Sequence, residues 1–375
     1  MAEGTDATAV GWRARARRFA EAELRPRGKE IDRTDALPEA VVRGLAREGF
    51  LGLGIPTSWG GQGGDARATV AVLEELARGN AAVAVELAVH LSVCAQPILN
   101  AGTDEQRGAY LPRLARGELL GAFALSEPGS GSDAGALRAR YRRTGDGFEL
   151  TGSKMFISNA ASAGVTLVFA TRDPALGHAG ISAFVVPART PGLTVAQRLA
   201  KLGLRGSETM ELTLDRAALP AGALLGAEGE GLKLALAALA GGRVGIASCA
   251  LGVARAALEV MTASVRADDA EWKRHRLARA FADVEAAGAV VREAATRKDA
   301  GEEFVVAASV AKLLASRAAF EVASAGLDVA AATGARAGSE AERLFRDARV
   351  FPIVEGTTEI QELIVARALL ETPPA

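Results

Sequence analysis

The spacing of hydrophobic positions changes twice along the chain. Over residues 11–120, apolar positions recur with the 3.6-residue period of amphipathic helices. Such helices are predicted at residues 37–46, 69–77 and 81–93. A glycine-rich stretch at 57–64 predicts a loop between the first of them and the other two. The N-terminal third of the chain is therefore predicted to be helical.

The period shortens near Gly121. From there to about Asp215, short alternating apolar runs are separated by Gly and Pro, which is the pattern of β-strands. The pair Asp146-Gly147 before an apolar run is a hairpin signal. Strands are predicted at residues 148–150, 165–170, 181–186 and 211–214.

Long amphipathic helices return after Pro220 and continue to the end of the chain. They are predicted at residues 229–261, 271–298, 304–332 and 358–370, and they are long enough for an antiparallel four-helix bundle. The order helical, β, helical predicts an α+β fold. Its three parts are an N-terminal helical domain (1–120), a middle β-sheet domain of barrel or sandwich kind (121–222) and a C-terminal four-helix bundle (223–375).

Composition limits the classes of function. The chain has 375 residues, of which 49% are hydrophobic and 24% charged, as in globular proteins with more than one core. A net charge of −1 gives no reason to expect nucleic acid or an anionic membrane as partner. No run of about 20 apolar residues is free of charge and Gly, so no membrane span is expected. The first ten residues lack an apolar stretch, so the expected location is cytoplasmic.

The cysteines and histidines do not predict a metal or disulfide site. Cys94 and Cys249 lie far apart in apolar helical contexts, so we expect two reduced thiols in the core rather than a disulfide or a reactive pair. The three histidines, His90, His178 and His275, have no metal-ligand spacing.

One carboxylate near the C-terminus stands where its basicity can be tuned. Glu355 lies between the apolar run 350–354 and Gly356-Thr357-Thr358, which begins a helix. Apolar neighbours raise the pKa of a carboxylate toward the range of a general base, whereas the positive helix N-terminus opposes that rise. Glu355 is therefore a candidate general base. The alternative is an exposed Glu before a helix that Thr358 and Gln361 cap.

Four motifs follow one another along the chain: AFALSEPGSGSD at 122–133, GSKMFISN at 152–159, LGLRGSET at 202–209 and IVEGTTEIQ at 353–361. Taken together and in this order, they resemble the acyl-CoA dehydrogenase family over nearly the whole chain. The resemblance implies α,β-dehydrogenation of an acyl thioester, in which a base takes the α proton and FAD accepts the β hydride. The thioester would be carried by coenzyme A or by an acyl carrier protein. Its carbonyl needs hydrogen-bond donors, because enolate charge develops there.

The resemblance also implies roles for individual residues. Glu355 matches the catalytic base, and its backbone N–H would donate to the thioester carbonyl. The implied FAD contacts are Leu125, Ser126, Gly131, Ser132, Phe156, Ser158, Thr357 and Glu359. The implied substrate contacts are Ser132, Arg243 and Gly356. An electron acceptor flavoprotein is the implied redox partner.

Taken alone, several of these residues have ordinary structural interpretations. The loop 126–133 would be a surface turn rather than a set of backbone donors to flavin and pantetheine. Phe156 would pack in a strand rather than face the flavin. Arg243 would be a cation on a helix surface rather than a group near the thioester. Ala240 stands where several family members carry Asp, which departs from the usual contacts of the coenzyme A arm.

Two segments that serve the FAD of a neighbouring subunit in the family are changed here. Residues 263–272 replace an Arg-x-x-Phe-Gly segment and are shorter. In a Gln-x-x-Gly-Gly segment, Asp328 replaces Gln, and Ala331 and Ala332 replace the glycines. A carboxylate repels a pyrophosphate, and methyl groups block close backbone approach.

These changes leave three explanations open. The chain forms a homodimer or homotetramer that binds FAD weakly or by other contacts, or a hetero-oligomer in which a sister chain completes the site, or flavin is lost and the carboxylate serves a flavin-independent isomerase or cyclase. The non-enzyme alternative is a non-catalytic partner subunit.

Overall fold

A computed structural model describes residues 2–371 of the protein. Its N-terminal part is helical, as predicted. The helices are α1 (Ala2–Phe19), α2 (Gly28–Thr34), α3 (Glu39–Arg47), α4 (Ala66–Gly79), α5 (Ala81–Ala88), α6 (Gln96–Ala101) and α7 (Asp104–Ala115). The side chain of Asn80 accepts the backbone N–H of Ala82 at 3.1 Å, which ends α4 and begins α5. A π-helical stretch, Val89–Ala95, joins α5 to α6.

The middle part is one eight-stranded sheet. Its strands are β1 (Leu120–Ala124), β2 (Arg140–Arg143), β3 (Gly147–Ser158), β4 (Ala163–Thr171), β5 (Ile181–Pro187), β6 (Leu193–Arg198), β7 (Thr209–Pro220) and β8 (Leu224–Leu225). The order is β6-β7-β3-β2-β4-β5-β8, with β1 parallel to β4. The predicted hairpin is confirmed, because β2 and β3 are antiparallel and Arg143 is opposite Phe148. The four predicted strands lie within β3, β4, β5 and β7.

The C-terminal part is a helical domain. Its helices are α8 (Gly231–Ser264), α9 (Glu271–Asp299), α10 (Val305–Gly334), α11 (Glu340–Ala348) and α12 (Thr358–Glu371). The four predicted helices are confirmed as α8, α9, α10 and α12. The sequence interpretation missed α11, where Ser339 accepts the backbone N–H of Glu342 at 3.1 Å as the N-cap.

Two helical segments depart from the prediction that no stretch could span a membrane. By length and composition alone, Ala81–Ala101 and Gly231–Ser264 are long and apolar enough to do so. Buried residues make up 83% and 72% of their apolar windows, so packing inside the protein accounts for their composition. Both segments contribute to the buried clusters between the N-terminal and C-terminal helices.

Cys94 and Cys249 are free, buried thiols, as predicted. Burial raises the pKa of the Cys94 thiol to about 12, so it stays protonated. His90 is also buried, and its ring joins Leu51 O (3.0 Å) to the backbone N–H of Gly121 (3.1 Å). Within residues 2–371, no cluster of three His, Cys, Asp or Glu side chains is arranged to hold a metal ion.

Candidate active site

Glu355 lies in a turn that holds it in an unusual backbone conformation. The segment between α11 and α12 turns back on itself, and the N–H of Ile353 donates to Val350 O at 2.8 Å. Glu355 then has φ of 56° and Gly356 has φ of 91°. The left-handed region costs a non-glycine residue about 1–2 kcal/mol. Surrounding contacts must therefore hold Glu355 in this conformation.

The Glu355 carboxylate points toward the gap between α8 and the Val89–Ala95 stretch. Its Oε2 atom is buried and has no hydrogen-bond partner in the described part of the chain. A Cβ placed on Gly242 of α8 would lie 2.6 Å from Oε2 and 3.1 Å from Val93 Cγ1. The absence of a side chain at Gly242 therefore makes room for the carboxylate.

Two cations oppose the effect of burial on this carboxylate. Burial raises the pKa of Glu355 to about 7, and the charges of Arg243 and then Lys312 act against the rise. Burial lowers the pKa of Lys312 to about 8. The sequence indicated two opposing effects on this pKa, and burial is the larger one. The opposing charges come from α8 and α10, whereas the sequence analysis attributed them to the start of the following helix.

The structural alternatives for Glu355 and Arg243 are wrong. Gln361 is buried, and its Nε2 donates to the carbonyls of Glu355 (3.2 Å) and Gly356 (3.0 Å), so it is not part of a capping box. Thr357 precedes α12 and accepts the N–H of Ile360 at 3.4 Å. Arg243 is only 6% exposed, so it is not a surface cation.

A buried lysine joins the first two motifs. Lys154 Nζ donates to Leu125 O at 3.0 Å and lies 2.7 Å from Glu127 Oε1. Beside it, the N–H of Met155 donates to Ser126 O at 3.0 Å. These contacts hold the loop after β1 against the strand β3.

The surfaces next to this junction are open. Phe156 is 63% exposed with φ of 61°, so the alternative that it packs in the core is wrong. Gly131 and Ser132 are exposed, and no described atom lies within 4 Å of a Cβ placed on Gly131. Ser158 is half-buried at the end of β3. An outward aromatic ring and a loop of small and hydroxyl residues fit a planar cofactor that carries a pyrophosphate.

The third motif, residues 202–209, connects the second motif to α11, the helix before the Glu355 turn. The N–H of Asn159 donates to Glu208 O at 3.2 Å, and the N–H of Leu204 donates to Asp347 Oδ1 of α11 at 2.6 Å. The candidate residues thus form two sets. Glu355, Gly356 and Arg243 meet at the carboxylate, with Thr357 and Glu359 at the adjacent start of α12. The second set, in and around the loop after β1, contains Leu125, Ser126, Gly131, Ser132, Phe156 and Ser158.

Three family models match the chain. They describe the N-terminal (residues 8–118), middle (122–217) and C-terminal (229–370) domains of acyl-CoA dehydrogenases. An acyl-CoA dehydrogenase of Bacillus subtilis is 40% identical, over 96% of this chain and 97% of the relative. The chain belongs to the acyl-CoA dehydrogenase family.

Solved structures of the acyl-CoA dehydrogenase family have the same fold. Butyryl-CoA dehydrogenase from Megasphaera elsdenii superimposes with a TM-score of 0.94 at 35% identity, over 97% of this chain and 98% of the other. A glutaryl-CoA dehydrogenase from Mycobacterium smegmatis in complex with FADH2 has a TM-score of 0.91 at 30% identity, over 98% and 95%. The chain is an oxidoreductase of the kind that acts on CH–CH groups, and the cofactor of this family is FAD.

Sequence reasoning missed four residues that shape the site, namely Glu127, Lys154, Gly242 and Lys312, and it gave Gln361 only a capping role. Glu127 and Lys154 lie inside quoted motifs, but their pairing depends on the fold. Lys312 carried a signal of its own, because it is a lone cation in the apolar stretch 305–316. A charge in such a stretch requires a partner, and here the partner is the Gly356 carbonyl.

Proposed function

We propose that the chain dehydrogenates an acyl thioester at its α,β bond, with Glu355 as the base that removes the α proton. The observation that carries the proposal is the Glu355 Oε2 atom, which is buried and unpartnered within residues 2–371. An unsatisfied buried acceptor costs about 1–3 kcal/mol, so such an atom calls for a functional reason. A carboxylate with a pKa of about 7 is also well matched to proton abstraction near neutral pH.

The chain's own residues would do the following work. Glu355 accepts the α proton at its carboxylate, and its backbone N–H donates to the thioester carbonyl as the enolate develops. Arg243 and Lys312 keep the carboxylate ionised enough to act near neutral pH. FAD, when bound, supplies hydride acceptance from the β carbon. Leu125, Ser126, Gly131, Ser132, Phe156, Ser158, Thr357 and Glu359 are proposed to hold it, and Ser132, Arg243 and Gly356 to contact the substrate.

The substrate class is an acyl group on a phosphopantetheine arm. Coenzyme A and an acyl carrier protein both present this arm, so its thioester is the shared chemistry. Ala240 lies on α8 three residues before Arg243 and is buried. It offers no carboxylate to the arm, unlike the Asp of several family members, so this position does not identify the carrier. The carrier must therefore be determined with both kinds of substrate.

Partner assembly is proposed from the changed segments. Asp328 pairs with Arg276 instead of standing free, and α10 adopts φ of 49° at Ala331, a conformation that glycine favours. We propose that FAD is held mainly by contacts within one chain, in a homodimer or homotetramer, or that a sister chain completes the site. An electron-transferring flavoprotein is the proposed acceptor, and the cytoplasm the proposed location.

The proposal is tested by anaerobic reduction of bound FAD. Purified protein is reconstituted with FAD and mixed with a series of acyl-CoA substrates, and separately with acyl carrier proteins that bear the same acyl groups. We expect loss of oxidised flavin absorbance together with an α,β-unsaturated product. Bound FAD that no thioester reduces would contradict the proposal. No FAD uptake by the lone chain would favour a sister chain, a flavin-independent isomerase or cyclase, or a non-catalytic subunit.

Adding one methyl group at Gly242 should disable this site. Gly242→Ala places a Cβ 2.6 Å from Glu355 Oε2, which is too close for both atoms to keep their positions, and should displace the carboxylate. Misplacement of a reacting group by about 1 Å can lower kcat/KM about 100-fold, and we expect a loss of this order. The matched control is Gly241→Ala, whose Cβ would lie 3.2 Å from the end of the flexible Lys298 side chain. Equal activity of the two variants would show that the carboxylate does not need the space.

A further inference from the structure

Lys312 is a buried cation at the base of the active-site turn. It lies on α10 and is fully buried. Its Nζ donates to the carbonyl of Gly356 at 2.7 Å. One turn further along the same helix, Ser316 Oγ donates to Phe351 O at 3.2 Å. Two side chains on one face of α10 therefore fix both ends of the turn that carries Glu355.

The contacts of Lys312 act on the strained part of the backbone. Glu355 and Gly356 both have positive φ, and their carbonyls also accept the Gln361 side chain. Gly356 O thus receives one donor from α10 and one from α12. Because these donors act on the two peptide groups that follow the Cα of Glu355, they restrain the backbone on that side of the residue.

Lys312 and Gln361 differ in charge. Both donate to the Gly356 carbonyl, but only Lys312 adds a positive charge near the carboxylate. The other charged groups that act here are Arg243 on α8, next to Glu355, and Glu359 on α12, which interacts with Lys312. Arg243 is the larger influence on Glu355, and Lys312 is the second.

We propose that Lys312 is a positioning residue with two functions: it holds the Glu355 turn through the Gly356 carbonyl, and its charge sets the pH range in which Glu355 works as a base. This inference rests on the proposed function of Glu355. The pKa of about 7 for Glu355 is consistent with it, since burial alone would raise that pKa further and the cations limit the rise.

The two functions can be separated with three variants. Lys312→Met removes the donor and the charge, Lys312→Gln removes the charge and keeps a donor, and Gln361→Met removes a donor and no charge. The readout is the pH dependence of α-hydrogen exchange into D2O for phenylacetyl-CoA, whose β carbon bears no hydrogen to lose as hydride. Exchange reports proton removal without oxidation, and folding of each variant is checked by thermal melting.

In a plot of exchange rate against pH, the acidic limb is the range in which the rate falls because the base becomes protonated. A nearby cation lowers a carboxylate pKa by about 1–3 units, so its removal raises that pKa. We therefore expect both Lys312 variants to move the acidic limb upward by about one pH unit. Gln361→Met should lower the exchange rate and leave the limb in place. If Lys312→Met does not fold, the pH of the acidic limb is measured in Lys312→Gln alone. If the acidic limb of the folded Lys312 variants lies at the same pH as in the unmodified protein, the inference is overturned.

If Glu355 is not the base, the same experiment gives a different result. If Glu355→Gln still exchanges the α hydrogen at the wild-type rate, the proposed function is wrong and the inference about Lys312 is wrong with it. If Glu355→Gln is inactive and the limb does not move in the Lys312 variants, only the inference about Lys312 fails.

Discussion

Glu355→Gln is expected to lower kcat/KM for an acyl thioester by about a thousandfold, since a positioned general base contributes about 10²–10⁴-fold. Gln keeps the shape of the side chain and the backbone N–H, so FAD uptake and substrate binding should persist. It cannot accept a proton near neutral pH. The measurement is the rate of anaerobic flavin reduction by an acyl-CoA that reduces the unmodified protein.

The matched control is Glu362→Gln, which makes the same change at an exposed position of α12. It should retain full activity. If Glu355→Gln also retained activity, the α proton would be taken by another group. A lone chain that is inactive is instead mixed with a sister chain. If the mixture is equally active with the unmodified chain and with the Glu355→Gln variant, the chain is a structural subunit rather than the source of the base.

Hydrophobic period predicted most of the fold because its elements are long. The sequence segments that form α8, α9 and α10 each repeat their apolar positions over many turns. The helix α11 is amphipathic but has only nine residues, so its apolar positions repeat over too few turns to mark it as a separate helix. The sequence predicts one helix over 81–93, but residues Val89–Ala95 form a π-helical stretch, and the hydrophobic spacing does not mark this change of winding.

The site could be predicted from sequence only where one segment contains it. Glu355 is notable because its apolar neighbours and its helix start are adjacent in the chain. Lys312 and Gly242 reach the same point from two other helices, more than 40 residues away in the chain. Their roles follow from the packing of α8 against α10, and no local pattern encodes that contact. The left-handed φ of Glu355 depends on those contacts as well.

The second large effect is expected on stability. Lys154→Met should destabilise the protein by about 3–5 kcal/mol, the usual consequence of removing one partner from a buried ion pair. Lys154 is fully buried beside Glu127, which also accepts the backbone N–H groups of Arg138 (2.6 Å) and Ala139 (2.9 Å). The variant would leave the Glu127 carboxylate buried without its cation. Urea unfolding of the FAD-free protein measures the change.

The same variant should weaken FAD binding, because Lys154 also holds the Leu125 carbonyl and thereby the loop after β1. Lys233→Met is the matched control, since its ammonium lies on the surface of α8 in an exposed pair with Glu230. A surface change of this kind alters stability by no more than about 0.5 kcal/mol. Equal unfolding midpoints for the two variants would contradict a structural role for the pair. A destabilised Lys154→Met with unchanged FAD affinity would show that the loop keeps its conformation without the lysine.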